Sequence, residues 1–168
     1  TLFNGAAFWL LPFMNDKTPF DPLRDFVPVT LAVTQPTMLV VHPSFQAGSV
    51  KELIALAKAR PGSLNYASGP AGSSSHLAAE LFKRAANIDI VHIPYNGAAR
   101  AHIELVAGQV QIYFTGVTGT LPFVKAGKLR ALAVATPARS TLMPDIPTTT
   151  EAGFKDLQVS TWLGVLGP

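Results

Sequence analysis

Three observations predict an α/β fold built on a mostly parallel sheet with helices on both faces. From Ser44 onward, short apolar runs alternate with amphipathic stretches of helical period. Three of the helical stretches meet a stop signal, at Pro61-Gly62, Gly108 and Gly127. The run Leu129–Thr136 is apolar on both of its faces, which suits a strand covered from both sides. Together these describe successive βαβ units.

The elements follow in order. Residues 1–13 are apolar, with Gly5 and Pro12, and fit a short helix or the end of a core strand. Residues 15–25 form a Pro-rich polar connection. Phe26–Val33 and Met38–Val41, interrupted by Pro28 and Pro36, read as one long irregular crossover strand or two short ones. Ser49 with Glu52 is a capping box that opens a helix over Val50–Ala59. Leu64–Ala67 is a strand, and Ser75–Ala86 is a helix with Leu77, Leu81 and Ala85 on one side. Ile88–Ile93 is a strand. Ala98–Ala107 is a helix with Ala99, His102, Ile103 and Val106 along one side. Val110–Thr115 is a strand, and Leu121–Ala126 is a short helix with Pro122 in its first turn. Thr148 with Glu151 caps a small helix, and Leu157–Val165 is the last strand.

Composition narrows the function. The 168 residues suffice for one domain with a core, or parts of two. The chain is 48% hydrophobic and only 14% charged, and thirteen Lys and Arg against ten Asp and Glu leave a net charge of +3. That charge is small and dispersed, with no Lys/Arg block or aromatic-interleaved basic patch, so nucleic acid is not an expected partner. The absence of cysteine removes disulfides, iron–sulfur clusters and thiolate zinc sites, and is compatible with an oxidising compartment. No segment is apolar over the roughly 18 residues a membrane-spanning helix needs. The abrupt apolar start and the abrupt end at Gly167-Pro168 are those expected of a fragment of a longer protein.

In parallel sheets the ligand site lies at the loops after the carboxyl ends of the strands. Here these loops are 67–76, 93–98 and 115–121, each rich in Gly, Ser, Thr or Tyr and poor in ionised groups. The first is the most informative. Across Asn65–Leu77 a strand runs into small residues and hydroxyls, and a helix begins at once. Such a segment makes a nest of free N–H groups backed by a helix N-terminus, a natural anion site. Ser68, Ser73 and Ser74 hydroxyls with backbone N–H groups suit a carboxylate held without a fixed counter-charge. The plainer reading is a tight turn with a helix cap. The loop has neither the P-loop ending nor the dinucleotide-binding glycine fingerprint.

Chemistry is not indicated elsewhere. There is no Gly-x-Ser-x-Gly elbow and no His-Glu-x-x-His, and His42, His76, His92 and His102 lack ligating spacing. No catalytic residue, metal or cofactor is therefore assigned. His92 and His102 are expected as partly buried rings donating to backbone carbonyls, while His76 braces the anion loop or reaches its ligand. Tyr95, before Asn96-Gly97, lines a cleft or packs in the core. Thr115, Thr118 and Thr120 offer hydroxyls in the third loop, and Trp162 packs in a core or between domains.

Several motifs occur together along nearly the whole chain. They are Leu23-Arg24-Asp25-Phe26-Val27-Pro28-Val29, Leu39-Val40-Val41-His42-Pro43-Ser44 and Leu53 to Gly62. They continue with Tyr66-Ala67-Ser68-Gly69, Gly72-Ser73, His76-Leu77-Ala78 and His92-Ile93-Pro94-Tyr95-Asn96-Gly97. The last are Ala126 to Val134, Pro144-Asp145-Ile146-Pro147-Thr148, Glu151-Ala152-Gly153 and Trp162-Leu163-Gly164. In this the sequence resembles the tripartite tricarboxylate transporter substrate-binding proteins, also called the Bordetella uptake gene family. The resemblance implies a periplasmic-binding-protein-like fold of the type II Venus-flytrap kind, here one complete lobe plus a remnant of the other. Residues 1–37 would be the remnant and crossover, 38–162 the second lobe, and 163–168 the return to the first lobe.

The same resemblance implies a protein that is no enzyme and binds a small carboxylate in the periplasm. It would deliver that solute to membrane subunits of a transporter, with a signal peptide in its full-length precursor. The monomer is the expected state. The second-lobe residues that would hold the ligand are Ser68, Gly72, Ser73, Ser74, His76, Tyr95 and Thr115. Two positions depart from the family pattern. Thr115 stands where an aspartate is frequent, which tilts the ligand towards a plain carboxylate and away from an amino acid. Ala99-Arg100 replaces a usual proline, and Arg100 either brings a positive charge near the cleft or faces solvent. The alternative is an effector-sensing domain of a transcription regulator, which would carry a DNA-binding helical module upstream; an α/β enzyme ranks below both.

Overall fold

The computed structural model describes residues 2–167, with side chains from Phe8 onward. Thr1 and Pro168, the ends of the two terminal regions, lie outside the described residues. The elements run β1 (Leu2–Asn4), α1 (Gly5–Met14), β2 (Val27–Val41), α2 (Val50–Ala59), β3 (Asn65–Ser68) and α3 (Ser74–Ala86). They continue with β4 (Val91–Pro94), α4 (Ala98–Val106), β5 (Ile112–Gly116), α5 (Val117–Lys125), β6 (Arg130–Val134) and β7 (Ser160–Gly167).

β2 organises the molecule. It is one strand of 15 residues, with register shifts between Pro28 and Thr30 and between Leu31 and Val33 absorbing the irregularity that the prolines signal. Its first part, Val27–Pro36, pairs only with β7, which in turn pairs with β1. Its last part, Thr37–Val41, pairs with β5 on one side and, from Met38, with β6 on the other. Strand order is β1-β7-β2-β5-β3-β4, with β6 also on β2. The sheet is therefore mixed rather than mostly parallel. β3 is parallel to β4 and β5, but β2 is antiparallel to β5, β6 and β7. β2 enters from the far end of the molecule, so it must run against the βαβ strands it joins.

Period-2 alternation along the strands fills two cores. Leu39, Val41, Tyr66, Ile112 and Phe114 pack with α2 (Val50, Leu53, Ala57) and α3 (Ala78, Ala79, Phe82, Ala86) on one face. Met38, Val40, Ala67 and Tyr113 pack with α4 (Ala101, Leu105) and α5 (Val117) on the other. Both faces are covered, as the apolar strands require. The buried sides of the helices differ from those the sequence predicts. Leu81 is 48% exposed and Ile103 is 61% exposed, while the small Ala78, Ala79 and Ala101 sit fully buried against the sheet. Alanine lets a helix approach a sheet closely, and the larger residues beside it then face outward.

Two further elements depart from expectation. α5 starts at Val117, directly after β5, so Pro122 is its sixth residue and not in its first turn. The segment after Thr148 forms successive turns, not a helix, although the reciprocal bonds of the capping box are made: Glu151 N–H to Thr148 Oγ1 at 3.0 Å and Thr148 N–H to Glu151 Oε2 at 2.7 Å. At the other end, Phe8 stacks on Phe20 and meets Phe26 edge-on, and Trp9 lies against Trp162. These aromatics anchor α1 to β7.

Candidate functional site

Three helices follow three neighbouring parallel strands, α3 and α4 after short loops from β3 and β4, and α5 directly after β5. Because the strands are parallel, their carboxyl ends share one edge of the sheet, and the three helix N-termini converge there. Between them lies a cleft of about 300 Å³. One wall is the α3 loop, Gly69, Pro70, Ser73, Ser74 and Ser75; a second is Gly97 and Ala98 at the start of α4. The third wall is Tyr113–Gly116, leading into α5, and the crossing strands close it with Gln35, Thr37 and Thr161. None of these residues carries an ionised side chain.

Local sequence explains the arrangement. Ser73 is the N-cap of α3 and accepts a hydrogen bond from His76 N–H at 3.4 Å. α4 begins after Gly97, which has φ +101 and so needs glycine, and α5 begins after Gly116. Neither glycine supplies a side-chain cap, so the first-turn N–H groups of α4 and α5 are left for a ligand or solvent. Converging N–H groups and the positive ends of three helix dipoles favour an anion.

The seven residues expected to bind divide into two sets. Ser73, Ser74 and Thr115 line the cleft. Ser68, Gly72, His76 and Tyr95 stand behind its wall and are not among the lining residues. The Ser68 hydroxyl is fully buried; it donates to the Gly69 carbonyl at 2.6 Å, which leaves it to accept from His92 Nε2 at 2.6 Å. His76 Nδ1 accepts from Gly72 N–H at 3.2 Å, and its ring packs on His92 with centroids 4.5 Å apart. His92 in turn stacks on Tyr66, whose hydroxyl donates to Glu80. His76 thus braces the loop from within. Burial, followed by the nearby His76, pushes His92 below its ordinary value. Burial alone would raise the Glu80 carboxyl, but hydrogen bonds from Tyr66 and Lys83 hold it low. Tyr95 packs among the second core cluster, where burial raises its phenol.

Thr115 belongs to a buried polar network beneath the cleft. Thr120 Oγ1 lies 2.8 Å from His102 Nε2 and 3.2 Å from Thr115 Oγ1, and is also 2.9 Å from the Gly116 carbonyl. Burial holds His102 below its ordinary value, while its hydrogen bond to the Ala98 backbone works against that shift. Thr118 is exposed on the first turn of α5. Arg100 is exposed and pairs with Glu104 at 2.6 Å along α4, away from the cleft lining.

The sequence reading did not single out Gln35, Thr37, Tyr113 or Thr161 as cleft residues. The signal for them lay in the pairing of β2 with β5 and β7, which sets Thr37 opposite Gly116 and Gln35 opposite Thr161. A second groove of about 270 Å³ at the opposite end of the strands is lined by His42, Arg60, Gln111 and neighbours. It meets the carboxyl ends of α2 and α4, at Arg60 and Gly108, where helix dipoles disfavour anions. The described residues contain no group of three or more His, Cys, Asp or Glu able to hold a metal ion.

The whole architecture recurs in solved proteins. The periplasmic binding protein BugD superimposes with a TM-score of 0.92 at 29% identity, covering 99% of this chain and 56% of that one. MatC from Rhodopseudomonas palustris, solved with bound malate, gives 0.89 at 30% identity, covering 99% of this chain and 57% of its own. Another R. palustris protein, solved with adipate, gives 0.85 at 35% identity, covering 90% and 51%. The α/β fold is thus that of periplasmic binding proteins. In sequence, the chain is 37% identical over 168 residues to a UPF0065 protein from the tcbD–tcbE intergenic region of Pseudomonas sp. strain P51. That match covers 99% of this chain and 50% of the relative, so the chain spans about half the length of the curated relatives it matches. The profile of the tripartite tricarboxylate transporter family receptors matches residues 2–168, and the chain belongs to that family.

Proposed function

We propose that the full-length protein is the extracytoplasmic solute-binding component of a tripartite tricarboxylate-type secondary transport system, and that its cleft captures a small carboxylate. The observation that supports this most is the convergence of three helix N-termini, two without a side-chain cap, on a cleft lined by hydroxyls and free of ionised side chains. Such a site attracts an anion without trapping it behind a fixed counter-charge. Malate and adipate, bound in two structures of the same fold, are the natural first candidates.

Within this reading, residues 38–162 are the second lobe, 1–37 the remnant of the first lobe with the crossover, and 163–168 the return to it. Ser73, Ser74 and Thr115 contact the carboxylate, and Ser68, Gly72, His76 and Tyr95 hold the loops that do so. The protein works in the periplasm as a monomer and hands its solute to membrane subunits. Energetics favour two lobes. Each helix end is worth roughly 0.3–1 kcal/mol towards an anion, whereas micromolar capture needs about 8 kcal/mol. Closure of a second lobe, adding donors and excluding water, supplies the remainder.

A thermal-shift panel on the full-length protein tests the reading. A di- or tricarboxylate that binds the native state raises its apparent stability, by about 2.7 kcal/mol at one hundred times Kd. A folded protein that no di- or tricarboxylate in the panel stabilises would overturn it.

A further inference from the structure

Gln35 stands apart from the rest of the cleft. It lies on β2 at the point where the strand leaves the β5-paired region, opposite Thr161 of β7. It is only partly exposed and lines the cleft. Among the described residues its side-chain amide makes no hydrogen bond, so both its N–H donors and its carbonyl are uncommitted beside a nest of backbone N–H groups. A partly buried amide left this way is costly unless a ligand or water completes it.

Gly116 is shaped around that amide. A Cβ built at Gly116 would overlap the Gln35 amide nitrogen and come within 2.7 Å of its Cδ. The backbone at Gly116 has φ −65 and ψ 138, which any L residue adopts. Glycine is therefore not needed there for conformation. What it provides is room for Gln35 over the start of α5.

We propose that Gln35 is the specificity-determining residue of this cleft and selects hydroxy-dicarboxylates over their unsubstituted counterparts. The inference rests on the carboxylate reading above. An amide presents a donor and an acceptor side by side. A plain carboxylate can use only the donor and sets its own oxygen against the amide carbonyl. A 2-hydroxy acid offers a carboxylate oxygen to the N–H and a hydroxyl proton to the C=O, so both halves of Gln35 are satisfied together. The backbone N–H groups hold either acid alike, because they read charge. Gln35 reads the hydroxyl.

Isothermal titration calorimetry of the full-length protein with malate and succinate, which differ by one hydroxyl, tests this. The wild type binds malate more tightly, and Gln35→Ala lowers the malate-to-succinate affinity ratio roughly three- to tenfold, the worth of one net hydrogen bond. Gly116→Ala, whose methyl displaces the amide, lowers the ratio similarly, and the double variant loses no more than Gln35→Ala alone. Thermal unfolding of each variant confirms that it is folded. A ratio unchanged by both substitutions, or already near one in the wild type, overturns the role of Gln35 while leaving the carboxylate reading intact. Binding of neither malate nor succinate, nor of any acid in the thermal panel, overturns both.

Discussion

At the scale of single residues, His102 links the cleft to the core. Its ring lies between Phe123, stacked with centroids 5.3 Å apart, and the edge of Tyr113, with Thr120 and Thr115 leading from Nε2 to the cleft. Its proton affinity is lowered in the folded state, so the unfolded chain binds the proton more readily. Stability is then full above the ordinary histidine value of 6.5 and falls as pH drops below it, until the folded ring also titrates. His92, lowered as well, adds to the same slope. Urea unfolding should show a lower midpoint at pH 5.5 than at pH 7.5, and His102→Gln should shrink that difference; an equal midpoint at the two pH values would contradict this account. Ser73, Ser74 and Thr115 were legible as cleft residues because they lie at or just beyond the carboxyl ends of β3 and β5. Ser68 reads in sequence as a ligand-facing hydroxyl of the loop, and His76 as its brace or as a contact to the ligand. Their inward turn depended on His92, a partner 24 residues from Ser68, which local pattern does not reveal.

The helices are set by which side meets the sheet. Phe82 of α3 is fully buried against Phe114 and Phe154, whereas Leu81, one residue before it, is 48% exposed. Phe82→Ala should cost about 3–5 kcal/mol, and Leu81→Ala no more than about 1 kcal/mol. Denaturant midpoints of the two variants decide the matter, and similar losses for both would show that the buried side is misassigned. The existence of α2 and α4 was legible from the cap at Ser49 and the stop at Gly108, and that of α3 from the helical spacing of Leu77, Leu81 and Ala85. Their buried sides were not, because the sequence pattern weights large apolar residues, while close packing onto β3 and β5 selects Ala78, Ala79 and Ala101. The start of α5 was obscured for another reason. Val117-Thr118-Gly119-Thr120 has poor helix propensity, and Thr120 folds its hydroxyl back onto the Gly116 carbonyl. Packing of Val117 in the second core carries the helix there despite its composition.

At the scale of the whole molecule, β2 carries two environments on one strand. Met38–Val41 is fully buried between helices, while residues 27–34 are all exposed, among them Val27, Val29, Leu31 and Val33, each at least 48% exposed. We propose that the remaining half of the full-length protein packs over these apolar residues as the first lobe. The α/β class was legible from the alternation of elements after Ser44. The mixed character of the sheet was not, because strand direction depends on where β2 and β7 enter, and their path is a long-range property. The central claim is that an anion sits among the starts of α3, α4 and α5. Its most direct measurement is a backbone-amide NMR titration of the full-length protein with malate. The account predicts the largest shifts at the N–H groups of Ser73–Ser75, Gly97–Ala98 and Gly116–Thr118. Saturable shifts centred instead on the groove at His42, Arg60 and Gln111, with the three helix starts unmoved, would contradict it.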